Sequence, residues 1–146
     1  MIDPSLKTRA IRLLARREYS RHELQQRLAS GGAARDDIAA VLSELEAAGY
    51  LSNQRYARAL ASQRAGRYSR RSIAGTLKAK GIEGDDIAAA LAESSPDDTV
   101  AMQALWQRRF GAAPATEREK ARQVRFLQAR GFALSAIFKM LREIER

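Results

Sequence analysis

The chain has 146 residues, enough for one ordinary domain or for a short array of smaller units that share a continuous core. It has no cysteine, which excludes disulfides and thiolate metal sites and fits a reducing, cytoplasmic setting. Its 26 basic and 17 acidic side chains give a formal charge of +9, and a sequence pI near 10.6 points to polyanionic partners held in a salt-sensitive way.

Three valines and four threonines stand against 28 alanines and 15 leucines, so strand formers are scarce and an all-α fold is expected. In chain order the spacing predicts helices over 5–17, 20–30 and 36–48, then 52–66, 69–80 and 84–93, then 96–110, 116–130 and 134–145. Ser20 with Glu23, and Thr116 with Glu119, have capping-box spacing, in which side chains satisfy backbone donors left unpaired at a helix start. Pro4 and Pro96 suit a first helical turn. Gly31-Gly32, Gly49, Gly81 and Gly131 are the stops, because glycine readily takes the left-handed conformation that ends a helix. Leu24 with Leu28, Ile38-Val41-Leu42-Leu45 and Ile137-Met140-Leu141-Ile144 give their helices one buried stripe each.

The sequence repeats itself. Tyr19-Ser20-Arg21 returns as Tyr68-Ser69-Arg70 at an offset of 49 residues, and in the same register Leu28 meets Leu77, Gly32 meets Gly81, Asp36-Asp37 meets Asp85-Asp86 and Leu42 meets Leu91. At an offset of 50, Leu77, Lys80-Gly81, Ile87 and Leu91 find Leu127, Arg130-Gly131, Ile137 and Leu141. Three tandem three-helix repeats, at 1–50, 51–95 and 96–146, are therefore expected. Each is small enough that its core is marginal alone, so stacking into an elongated modular array, able to curve, is the expected architecture.

Little in the chain offers catalysis. His22 is the only histidine, so no second imidazole can complete a metal site, a hydroxyl nucleophile could find a histidine base only in His22, and no glycine-rich loop ending in Gly-Lys-Ser/Thr is present. The pairs Asp36-Asp37, Asp85-Asp86 and Asp97-Asp98 each stand at an expected helix start, where negative charge complements the helix dipole. No enzyme activity, cofactor or metal is expected. The amino-terminal residues carry an acid at position 3 with no apolar run behind it, unlike an export leader. The longest uncharged stretch, nine residues at 99–107, falls short of the about 20 that span a bilayer. A soluble cytoplasmic protein is expected.

The strongest local signal is Ala48-Gly49-Tyr50-Leu51-Ser52-Asn53-Gln54-Arg55-Tyr56-Ala57, continuing through Arg64, Ser69-Arg70-Arg71-Ser72-Ile73, Leu77 and Lys80-Gly81-Ile82. A second is Arg118-Glu119-Lys120-Ala121-Arg122, Arg125-Phe126-Leu127 and Arg130-Gly131-Phe132. These stretches resemble the RecX family. The resemblance implies a regulator that binds in the helical groove of the RecA filament on DNA and, as most members of the family do, suppresses its ATPase, co-protease and strand-exchange activities, although some relatives instead aid recombination. Tyr50, Leu51, Tyr56, Ile73, Leu77, Phe126 and Phe132 are expected in the core, specifying the fold.

Two basic groups are candidate partner-binding patches. Residues 59–82 hold no acid, while Arg64, Arg67, Arg70, Arg71, Lys78 and Lys80 supply positive charge. Arg118, Lys120, Arg122, Arg125 and Arg130 form the second, with 118, 122 and 125 on one face. By count the excess sits in the last two thirds: residues 1–50 carry 8 basic and 7 acidic side chains, 51–95 carry 8 and 4, and 96–146 carry 10 and 6. Two functions compete: a monomeric modulator of the RecA filament, and a freestanding helix-turn-helix-like protein that binds DNA without sequence preference. The second should show a helix bearing base-reading side chains, which is not evident. Contact with DNA is therefore expected to be weak and nonspecific. Arg70 and Arg71 are expected at the surface, where reversing their charge weakens partner binding and leaves thermal stability intact.

Overall fold

The computed structural model describes residues 4–94 and 96–146; residues 1–3, which carry the acidic start weighed against an export leader, and residue 95 lie outside it. The described residues form nine α-helices and no strand: α1 (Pro4–Arg16), α2 (Arg21–Ala29), α3 (Arg35–Ala47), α4 (Asn53–Arg64), α5 (Arg70–Ala79), α6 (Gly84–Ser94), α7 (Asp98–Arg109), α8 (Glu117–Ala129) and α9 (Leu134–Glu145). No helix is long and apolar enough to cross a membrane among the described residues.

The capping chemistry sets the boundaries. Ser20 Oγ accepts the Glu23 N–H at 3.1 Å, and Thr116 Oγ1 accepts the Glu119 N–H at 3.1 Å, as the capping-box spacing requires. Ser52 and Ser69 cap α4 and α5 in the same way, through the N–H groups of Arg55 and Ser72. Such a cap contributes about 1 kcal/mol. Pro96 departs from expectation. Asp97 is the N-cap of α7 and accepts the Thr99 N–H at 2.8 Å, so the helix begins at Asp98 and the proline stands before the cap instead of inside the first turn. Asp36-Asp37 and Asp85-Asp86 do lie in the first turns of α3 and α6.

The glycine stops are hydrogen-bonded closures. Ile82 N–H donates to Leu77 O at 3.1 Å and Phe132 N–H to Leu127 O at 3.2 Å, each pair bracketing a glycine of positive φ and each burying both apolar side chains. After α3 the same closure places Tyr50 outside: its N–H donates to Leu45 O, and its side chain is 58 % exposed. The core expectation for Tyr50 is thus corrected. Leu51, one residue on and 2 % exposed, occupies the buried place and packs into the first repeat's cluster.

Three clusters of buried side chains follow the three groups of helices. Leu24, Leu28, Ile38, Leu42 and Leu45 centre the first, Ala57, Ala61, Ile73 and Leu77 the second, and Leu127, Ile137 and Leu141 the third. In the second, Ala57 and Ala61 lie one turn apart on α4 and Ala90 lies on α6, all essentially without exposure. Methyl side chains at the contact bring two helix axes toward the short end of the usual spacing, about 8 Å, and α4 and α6 form the most extensive helix pair. The third repeat buries a polar pair as well: Trp106 Nε1 donates to Gln123 Oε1 at 2.9 Å, and Gln123 Nε2 donates to Ala112 O at 3.2 Å.

Neighbouring repeats meet by one recurring device. The second helix of each of the first two repeats begins with an N–H that has no partner in its own helix. In α2 that donor, Arg21 N–H, reaches Asn53 Oδ1 at 2.8 Å; in α5 it is Arg70 N–H, which reaches Asp98 Oδ1 at 2.9 Å. Asn53 and Asp98 are the first residues of α4 and α7, the first helices of the following repeats. The same helix start receives a glycine from the following repeat. A Cβ on Gly81 would stand 2.8 Å from His22 Cβ, and one on Gly131 would stand 2.4 Å from Ser69 Oγ and 2.7 Å from Ser72 Cβ. Ser69 N–H also donates to Arg130 O at 2.9 Å, so the second joint includes a direct backbone bond.

Gly32 and Gly131 share a positive φ, but nothing lies near the Cβ position of Gly32. Gly32→Ala should cost the about 1–2 kcal/mol of a left-handed non-glycine residue. Gly131→Ala must also displace the Ser69 hydroxyl from its cap, adding about 1 kcal/mol or more. Chemical denaturation of the two variants checks the order, and equal losses would remove the steric role of Gly131.

Candidate polyanion-binding surface

The sequence groups basic residues by position along the chain; the fold regroups them. At the joint between the second and third repeats, Arg67 and Tyr68 from the α4–α5 turn, Arg108 and Arg109 from the end of α7, Phe126 from α8 and Arg130 from its C-cap line an open groove of about 530 Å³. Two half-buried rings form its apolar framework. The Arg130 guanidinium lies between them, 4.8 Å from the centre of the Tyr68 ring and 5.0 Å from that of Phe126. Arg64 lies over Tyr68 at 5.0 Å, and Arg109 over Phe126 at 5.2 Å. The rings of Phe110 and Phe126 stand perpendicular, with centroids 5.5 Å apart.

These guanidiniums are held in place by stacking and by backbone acceptors. Arg130 Nη1 donates to Arg67 O at 3.1 Å, and Arg108 Nη2 donates to Gly66 O at 3.1 Å, both across the joint. Each guanidinium carries five N–H groups, so one bond to a carbonyl leaves several directed outward. Among the described residues no carboxylate pairs with Arg64, Arg67, Arg108, Arg109 or Arg130. Planar forks already fixed on aromatic faces lose little rotamer entropy when an oxyanion arrives, and their geometry suits phosphate or carboxylate. The ring faces are themselves covered by guanidiniums, which leaves them poorly disposed to stack a nucleobase.

Family models decide the kinship. The first, second and third three-helix domains of RecX match residues 7–45, 52–91 and 97–141. The chain belongs to the RecX family. It is 36 % identical to the regulatory protein RecX of Ralstonia pickettii, over 94 % of this chain and 86 % of that one. It is 42 % identical to the regulatory protein RecX of Chromobacterium violaceum, over 94 % and 89 %. A RecX crystal structure from Lactobacillus salivarius superposes with a TM-score of 0.70 at 17 % identity, covering 97 % of this chain and 95 % of that one, and so shares the fold. RecX is thus the regulatory family to which the three-repeat architecture belongs.

Of the residues singled out from sequence, Arg64, Arg67 and Arg130 come together at this groove, while Arg108 and Arg109 join them unforeseen. Arg118, Lys120, Arg122 and Arg125 remain on α8 away from it; Arg122 borders a separate hollow with Arg109 and Glu119. Arg71 lies beside Gly131 and Phe132, and Lys78 is exposed on α5. Arg70 is not the freely solvated side chain expected. It is half-buried, its N–H meets Asp98 and its Nη1 donates to Leu91 O at 3.3 Å, so reversing its charge disturbs the joint. Phe126, expected in the core, is half-buried because one side of it serves the groove.

Lys80 is committed elsewhere. Its Nζ stands 3.5 Å from Glu23 Oε2 across the first joint, and Arg17 bonds both Glu23 oxygens at 3.0 and 3.2 Å. Burial pushes the Glu23 carboxyl upward, but the hydrogen bond and charge of Arg17, with those of Lys80, outweigh it and hold Glu23 below its ordinary value. The bond to Glu23 in turn raises Arg17 despite partial burial. A carboxylate depressed in the folded state stabilises the fold above its unfolded pKa, about 4.3, and loses that contribution as pH falls through the lower folded value. Acid titration of thermal stability should therefore show a decline below about pH 4 that is shallower in Glu23→Gln, with the variant less stable than the parent at neutral pH; parallel curves would exclude the Arg17–Glu23–Lys80 cluster as the cause.

Proposed function

We propose that this chain binds the RecA filament on DNA as a monomer in the cytoplasm, without cofactor or catalysis, and lowers RecA's recombinase, ATPase and co-protease activities. The observation that carries this is the set of acid-free guanidiniums fixed on Tyr68 and Phe126 at the joint of two repeats. Family membership supplies the regulatory role; the groove supplies the chemistry that meets a filament wrapped on phosphate. Phosphate contacts position a protein and base edges specify sequence; guanidiniums clustered on an open groove, with no helix set to enter a base groove, favour phosphate contact without sequence preference. The units at 1–50, 51–95 and 96–146 act as successive contact modules, and weak contacts from linked modules multiply into useful avidity.

The same chemistry would serve a freestanding DNA-binding protein, so the decisive experiment separates the two. The DNA-dependent ATPase of RecA is titrated with the protein at physiological salt, beside binding of the protein to the same DNA alone. Inhibition at concentrations that leave bare DNA unoccupied is expected. Arg67→Gln with Arg109→Gln should weaken it about tenfold, as two exposed contacts of ~0.7 kcal/mol each give. Tight DNA binding with no effect on RecA would hand the assignment to the freestanding DNA-binding protein.

A further inference from the structure

The first repeat is nearly neutral by count, yet its charges are not mixed. Arg9, Arg12 and Arg16 follow one another at helical spacing on α1, all exposed. With Arg27 and Ser30 at the end of α2, and Leu13 as floor, they line an open cavity of about 540 Å³. Of the acids that cancel them arithmetically, Asp3 lies outside the described residues and the four glutamates are paired elsewhere. Glu44 binds Lys7, Glu46 binds Arg21, Glu23 binds Arg17 and Lys80, and Glu18 binds Arg55. Asp36 and Asp37 lie in the first turn of α3. Among the described residues no carboxylate pairs with Arg9, Arg12, Arg16 or Arg27.

The cavity is shaped to hold a guanidinium at its edge. Arg9 Nη2 donates to Arg27 O at 3.1 Å, and a Cβ on Gly31 would stand 2.3 Å from Arg9 Nη1. Gly31 has no positive φ, and the Arg9 guanidinium tip lies over the space its missing side chain leaves. Ser30 Oγ donates to the same Arg27 carbonyl at 2.7 Å. Arg9 is thereby anchored, while the side chains of Arg12 and Arg16 have no hydrogen-bond or ion-pair partner among the described residues.

We propose that this arginine-lined cavity is a second polyanion site, separate from the groove at the joint of the second and third repeats, and that it takes the phosphate backbone of a nucleic acid strand. From Arg9 to Arg16 the helix rises about 10.5 Å, which matches the axial span of about three nucleotides in one strand. An acidic protein surface is the weaker fit, because protein interfaces centre on apolar area and Leu13 is the one apolar side chain of this cavity. The site concerns contact with nucleic acid itself and does not depend on RecA being the target.

The test uses the full chain with Arg12→Gln and Arg16→Gln, at exposed positions whose side chains make no described contact, and single-stranded DNA without RecA. Binding is measured across salt concentrations, with Arg67→Gln/Arg109→Gln in parallel and thermal melts of every variant. Loss of two phosphate contacts should lower the slope of log affinity against log salt by about 1.4 on single strands and about 1.8 on duplex. The loss should add to that of the other pair, as independent sites require, with the melts unchanged. An unchanged slope overturns the proposal; if inhibition of RecA weakens at the same time, the occupant is an acidic protein surface instead. Failure of the RecA titration alone leaves this slope, and the site, standing.

Discussion

The unpaired amides at the start of each second helix are the constraint on which the molecule turns. A helix begins with donors that its own turns cannot satisfy. Here one of them is met by a side chain of the following repeat, Asn53 for α2 and Asp98 for α5. The repeats are therefore joined by an obligation that each half-joint leaves open, and the approach is so close that Gly81 and Gly131 leave no room for a methyl group. The groove is a consequence. Bringing Gly131 onto Ser69 brings Arg130, its neighbour, over Tyr68 and within reach of the Arg67 carbonyl. The arginines meet because the helix start must be satisfied.

What the sequence makes legible is what local physics decides. Serine and threonine caps, glycine closures and helical spacing act within a few residues, and the internal repeat multiplies each signal, so all nine helices are placed within two residues of their observed ends. Their assembly is less legible. Arg108 and Arg109 reach the groove from a helix some forty residues beyond Tyr68, and no periodicity in α7 announces that its last turn faces the preceding repeat. Counting charge misleads in the first repeat for a related reason: a sum ignores which acids are already paired. Arg70 reads as part of a basic surface because its role is set by Asp98 and Leu91, both distant in sequence. Tyr50 reads as core because the turn after Gly49 moves the buried place on by one residue, to Leu51.

The groove shows how charge can be concentrated without acids to neutralise it. Like charges crowded at a joint would ordinarily repel it apart, by about 1 kcal/mol per pair at 4 Å even in bulk water. Two features offset this. Aromatic faces attract guanidiniums, and backbone carbonyls at the ends of turns accept their protons. Arg130 uses both, lying between Tyr68 and Phe126 while donating to Arg67 O. Neither feature consumes net positive charge, so the full field stays available to a polyanion, in contrast to Arg17 and Lys80, whose charge is spent on Glu23.

That contrast separates the two joints. The first is held by carboxylates: Glu18 accepts from Arg55 Nε at 2.9 Å, and Glu23 faces Lys80. The second is held by the Ser69 to Arg130 backbone bond and by arginines donating to the carbonyls of Gly66 and Arg67, with Asp98 accepting an amide. Exposed ion pairs are screened by salt, whereas the bond from Ser69 N–H to Arg130 O joins two uncharged groups. Ionic strength therefore acts chiefly on the ion pairs where the first repeat meets the second, while the second joint keeps one carboxylate, Asp98, on a backbone amide. The groove's arginines are held by rings and carbonyls and not by carboxylates, so the surface is assembled without an acid that an incoming polyanion would have to displace.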